Sequence, residues 1–120
     1  MAWIEIHQSL RTHRKTYGVA RALGCSPVLV VGHMVSLWTW ALDNAPSGII
    51  EKHTEVLALA AQWDGNPTVF LQALLSTGFL DQDGEKIRIH NWDDYAGRLV
   101  QRRAANRERM RSARAEHVHR

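Results

Sequence analysis

The stretch that most constrains this chain runs from Ser26 to Asn44, SPVLVVGHMVSLWTWALDN. Val28, Val31, Val35, Trp38 and Leu42 recur at helical spacing, and Val30, Met34, Leu37 and Ala41 recur in the same way on the neighbouring face. Only Gly32, Ser36, Thr39 and Asp43 form a small or polar seam. A helix apolar almost all round is buried in a core or in a membrane. The apolar run is about 15 residues and is broken by His33, Ser36 and Thr39, whereas a membrane-spanning helix needs about 20. The spacing therefore predicts a buried central helix, with Ser26 as N-cap, Pro27 at the first helical position and Asn44-Ala45-Pro46-Ser47-Gly48 as the stop. No membrane partner is expected.

With 120 residues, 45% of them apolar, and five tryptophans, the chain can bury one core. The single cysteine, Cys25, has no partner for an internal disulfide, and no signal peptide opens the chain. These features point to a reducing, cytoplasmic setting, with Cys25 as a small apolar residue before a helix cap. Charge is distributed unevenly. Residues 1–96 carry seven Lys or Arg against ten Asp or Glu, a net of −3, whereas residues 97–120 carry eight Arg against Glu108 and Glu116, a net of +6. A mildly acidic globule with an arginine-rich end suits polyanion binding, because the guanidinium fork grips phosphate oxygens bidentately.

Elements on either side of the central helix can be placed in the same way. Trp3 to His7 alternates like a short strand, and Ser9 then caps a helix over 10–23 with Leu10, His13, Tyr17 and Ala20 on one face and Arg11, Arg14, Lys15 and Arg21 on another. Ser47 to Lys52 reads as a brief strand. Thr54 caps a short helix, Glu55 to Gln62, with Val56, Leu59, Ala60 and Trp63 inward. Asp64-Gly65 is a turn, and Asn66-Pro67 opens a further helix that buries Val69, Phe70, Ala73 and Leu74 and ends at Gly78. Two short helices joined by a tight turn outline a helix-turn-helix. Asp83-Gly84 then marks a hairpin with Ile87 and Ile89 on one side and Lys86, Arg88 and His90 on the other. A hairpin directly behind such a helix pair makes a winged helix. Asn91 caps a last helix that packs Trp92, Tyr95, Leu99 and Val100 on the domain. The expected fold is thus mainly α, an α+β winged helix-turn-helix over residues 1–101, followed by an arginine-rich helical or disordered extension over 102–120.

Several phrases in this order resemble the N-terminal domain of phage replisome organiser proteins, the DnaD-like replication initiation group of phages and prophages. They are WIEIHQSLRTHRKTYGVARALG at the start, WTWALDNAPSG at the end of the central helix, FLQALLSTGFLDQDGEKIRIHNWDDYAG across the last helix and hairpin, and RLVQRRAANRERMRSARAEH. The likeness covers nearly the whole chain, with GFLD, IHNW and YAG its most specific pieces. It implies DNA binding at a replication origin and help in bringing the replicative helicase, or its loader, to that origin.

The residues refine this expectation. The outer face of the Asn66-Pro67 helix offers Thr68, Gln72 and Ser76 for base reading but no Arg or Lys. Leu71 and Leu75, if exposed there, would mark a partner or dimer surface. Phosphate contact then falls to Arg11, Arg14 and Lys15, to Lys86 and Arg88 on the hairpin, and to Arg102, Arg103, Arg107, Arg109, Arg111 and Arg114. Asp81, Asp83 and Glu85 oppose close phosphate approach at the hairpin tip, which ranks the extension above the wing and the wing above the second helix. Double-stranded DNA is the expected partner, with a second copy of the chain as a further candidate. No catalytic set, metal site or cofactor is expected: the seven histidines are scattered, His33 reads as a hydrogen-bonded core residue, and Asp93-Asp94 matches a helix dipole. A winged-helix interaction or dimerisation adaptor and a small phage transcription regulator are the competing readings.

Overall fold

The computed structural model describes residues 6, 8–51, 54–93 and 105–113. The chain order is a 3-10 turn (Leu10–Thr12), α1 (Arg14–Leu23), α2 (Pro27–Asn44), β1 (Ile49–Glu51), α3 (Thr54–Ala60), α4 (Pro67–Thr77), β2 (Leu80–Asp83) and β3 (Lys86–Ile89). Residues 105–113 are also helical. The architecture is mainly helical with one small antiparallel sheet in the order β1-β3-β2, an α+β fold.

Ser26 and Pro27 begin α2 as their chemistry dictates, the Ser26 side chain accepting the Leu29 N–H at 3.4 Å. Val30, Met34, Leu37 and Ala41 are buried along one line of this helix, together with Leu42. The companion row is only partly covered. Val28 is 62% exposed, because the first turn of α2 projects beyond its neighbours. Polar groups of α2 do structural work: His33 Nδ1 lies 2.8 Å from the Ala61 carbonyl, and Ser36 Oγ donates to the Ala60 carbonyl at 2.7 Å. A carbonyl can only accept, so the His33 proton is on Nδ1. Both bonds satisfy carbonyls that the end of α3 leaves without helical partners. No single described helix is long and apolar enough to cross a membrane.

The first helix starts later than the pattern predicts. Leu10–Thr12 forms a 3-10 turn, Ser9 makes no side-chain cap, and α1 begins at Arg14 with His13 as N-cap, its Nδ1 accepting the Lys15 N–H at 3.2 Å. The inward face of α1 is consequently Thr16, Val19 and Ala20, while Tyr17 is exposed. Thr16 is fully buried, and its hydroxyl donates to the Leu10 carbonyl, tying the 3-10 turn to the helix. Gly18 sits where α1 crosses α4: a Cβ there would lie 2.9 Å from Thr77 Cγ2.

The expected faces of α3 and α4 are rotated. Leu57, Ala58, Ala60 and Ala61 are buried, whereas Leu59 and Val56 point outward. In α4 the buried set is Phe70, Leu71, Ala73 and Leu74; Val69 is exposed. A helix sandwiched between α1 and α3 is covered over a wider arc than a one-sided periodicity argument allows, and that arc takes in Leu71. Asn66 caps α4 by accepting the Thr68 and Val69 N–H groups, and Gly78 ends it in a left-handed conformation.

In the sheet, Ile50 pairs with Ile87 and Leu80 with Ile89, and all four are buried. The hairpin turn is Gly84-Glu85, one residue later than expected, because Asp83 still pairs with Lys86. Gly84 has φ 62 and Glu85 lacks a positive φ, the sign pattern of a turn that needs glycine only at its first central position. The Trp92 indole N–H donates to the Pro46 carbonyl at 2.8 Å, and the ring is buried over Gly48. Asn91 takes a left-handed φ of 55 rather than the extended backbone usual at an N-cap. The strand expected over 3–7 and the helix expected from Trp92 to Val100 lie, apart from Ile6, Trp92 and Asp93, outside the described residues.

Candidate nucleic-acid interface

Four groups of residues bear on polyanion binding, and the structure treats each differently. Arg11 and Arg14, at the 3-10 turn and the start of α1, are exposed, as is Arg21 two turns further on. Lys15 is not open in the same way. Its Nζ donates to the Gly78 carbonyl at 3.2 Å and lies 6.0 Å from the centre of the Phe79 ring. The ammonium thus caps the C-terminal end of α4, where the helix dipole favours a cation, and joins α1 to α4.

Thr68 and Gln72 are exposed on α4, four residues apart and so on one face, next to exposed Val69 and Ser76. This surface carries no charge. Leu71 is only 3% exposed and Leu75 is half-buried, so the partner surface expected from these two leucines is not formed by Leu71.

On the hairpin, Lys86 and Arg88 are exposed on the outer face, since Ile87 and Ile89 take the inner one. The register sets Arg88 opposite Asp81 and Lys86 opposite Asp83. Directly opposed residues share a face of the sheet, so each cation has a carboxylate as its cross-strand neighbour. Asp81 also meets His90, whose Nδ1 is 2.8 Å from its Oδ2. Glu85 in the turn adds a further negative charge, which leaves the hairpin without a net positive field.

Arg107, Arg109 and Arg111 are exposed on the helix over 105–113, with Glu108 as its only acidic residue. Arg107 and Arg111 are one turn apart on one side, and Arg109 projects elsewhere, where it donates to Asn106 Oδ1 at 2.7 Å. Arg102, Arg103 and Arg114 lie outside the described residues, as do His117 and His119. Of the predicted cations, those that the structure leaves without a close carboxylate neighbour by register or a capping role are therefore on α1 and on the 105–113 helix. The structural duties of Lys15 and His13 were missed by sequence reasoning. The signal for them is slight: a Lys two residues after an N-cap, and a helix end far along the chain for it to reach.

Cys25 is half-buried and packs against the core, and burial pushes its thiol up from its ordinary value, the behaviour of an unreactive residue. Among the described residues no group of three His, Cys, Asp or Glu side chains is placed to hold a metal ion. A comparison of the chain with protein-family models, with curated proteins and with solved structures finds no match.

Proposed function

We propose that this chain is a DNA-binding winged helix-turn-helix protein of the replisome organiser type, acting in phage or prophage replication initiation in the bacterial cytoplasm. In this reading α3 and α4 are the helix-turn-helix, β2–β3 is the wing, and β1 is the third strand of its small sheet. The observation that carries it is the element order, with α4 running through Gly78 straight into a hairpin whose inner face packs on the core. Exposed Arg11, Arg14, Arg107, Arg109 and Arg111 supply phosphate contacts. The uncharged face of α4, Thr68 and Gln72 included, argues for weak base reading and thus for binding largely indifferent to sequence. Recruitment of a replicative helicase or its loader belongs to the same proposal and rests on the sequence resemblance alone.

A gel-shift series of the purified chain on random and palindromic duplexes across a salt range tests this reading. A replisome organiser binds both alike, with affinity falling steeply as salt rises. Preference for a palindrome would make it a transcription regulator. The exposed apolar side chains of Val56, Leu59 and Val69 favour one other reading, an interaction or dimerisation adaptor, which binds neither duplex.

A further inference from the structure

Between the 3-10 turn, α2 and the end of α4 lies a cleft of about 400 Å³, within the size range of ligand sites. Its walls are apolar: Leu10, Trp38 and Phe79, with the two aromatic ring centres 6.4 Å apart. Lys15, His13 and His90 bring the polar chemistry. Lys15 is half-buried, and the Gly78 carbonyl takes one of its three N–H groups while the Phe79 ring lies near. Among the described residues no carboxylate lines the cleft. An ammonium partly withdrawn from water, with one acceptor and an aromatic face, is short of an anion. His13 adds a second donor: its Nδ1 accepts the Lys15 backbone N–H, which leaves the proton on Nε2. His90 has the opposite polarity. With Nδ1–H directed at the Asp81 carboxylate, its Nε2 is an acceptor.

We infer that this cleft binds the carboxyl-terminal end of a partner polypeptide, with the terminal carboxylate at Lys15 and a bulky apolar last side chain between Trp38 and Phe79. The complementarity is of charge and polarity together. The ammonium and the His13 N–H match a carboxylate, and the apolar walls match the side chain. The His90 acceptor and the Asn91 amide at the same cleft match a peptide backbone, which a free organic acid lacks. The inference is independent of the DNA reading, and its test uses no nucleic acid.

Calorimetric titration of the full chain with acetyl-Gly-Leu-Phe bearing a free carboxylate, with the same peptide as its carboxamide, and with 3-phenylpropionate decides it. The free acid should bind about tenfold or more tightly than the carboxamide, since a charge-assisted bond is at stake, and more tightly than 3-phenylpropionate. Lys15→Met, which keeps the apolar stem, should abolish the difference between acid and carboxamide. Equal binding of acid and carboxamide by the unmodified chain would overturn the inference without reference to any variant. So would 3-phenylpropionate binding as tightly as the peptide, or a folded Lys15→Met chain that still distinguishes the two peptides.

Discussion

Two glycines and one glutamine show how single residues are fixed by what touches them. Gly48 has φ 78, and a Cβ placed on it would lie 2.5 Å from the Trp92 ring, so alanine there meets both a backbone penalty and a clash with a buried indole. Gly48→Ala should cost about 2–4 kcal/mol in urea unfolding, more than either effect alone. At Gly18 the conflict is between helix propensity, which favours alanine by about 1 kcal/mol, and Thr77 at 2.9 Å. Gln62 is the reverse case. It holds a left-handed φ of 57 at the end of α3 with no glycine to ease it, so Gln62→Gly should raise stability by roughly 1 kcal/mol, read as a higher melting temperature. Cys25, whose thiol is held protonated by burial, should react with iodoacetamide more slowly than a free thiol at the same pH. The sign for stability follows: the unfolded thiol ionises first, so this group's contribution is intact below pH 9.0 and is lost as pH rises beyond it.

Elements are joined by a few polar bonds whose loss is measurable. The α2–α3 contact depends on Ser36 and His33, which hold the last carbonyls of α3. Ser36→Ala should destabilise the fold by about 1–2 kcal/mol by orphaning the Ala60 carbonyl, with hydrogen exchange rising first at the end of α3. Stacking of Trp63 on Phe70, with ring centres 5.6 Å apart, and the edge contact of both with His33 close the α3–α4 turn from the other side. The hairpin allows a sharper functional test. With Asp81 and Asp83 in register against Arg88 and Lys86, the double change Asp81→Asn and Asp83→Asn leaves both cations unopposed. If the hairpin meets phosphates, that variant should bind duplex DNA several-fold more tightly at low salt and show a steeper salt slope. An unchanged slope would place the contact elsewhere.

For the molecule as a whole, the separation of charge sets the expectation for binding. An acidic globule does not hold a polyanion by its net field, so the arginines beyond residue 101 should supply most of the affinity. Removal of residues 102–120 should weaken DNA binding by about tenfold or more, with melting of the globular part little changed. The central helix with its caps, the α4 cap at Asn66-Pro67, the hairpin and the charge asymmetry all follow from local rules: spacing, capping chemistry, turn residues and composition act over a few residues. Which side of α3 and α4 faces inward, the burial of Leu71, the late start of α1, and the assignment of Lys15 to the end of α4 and the rim of a cleft depend on contacts between residues distant in the chain. Lys15 and Gly78 are 63 positions apart. No periodicity encodes such a meeting, because it exists only once α1 has packed across α4.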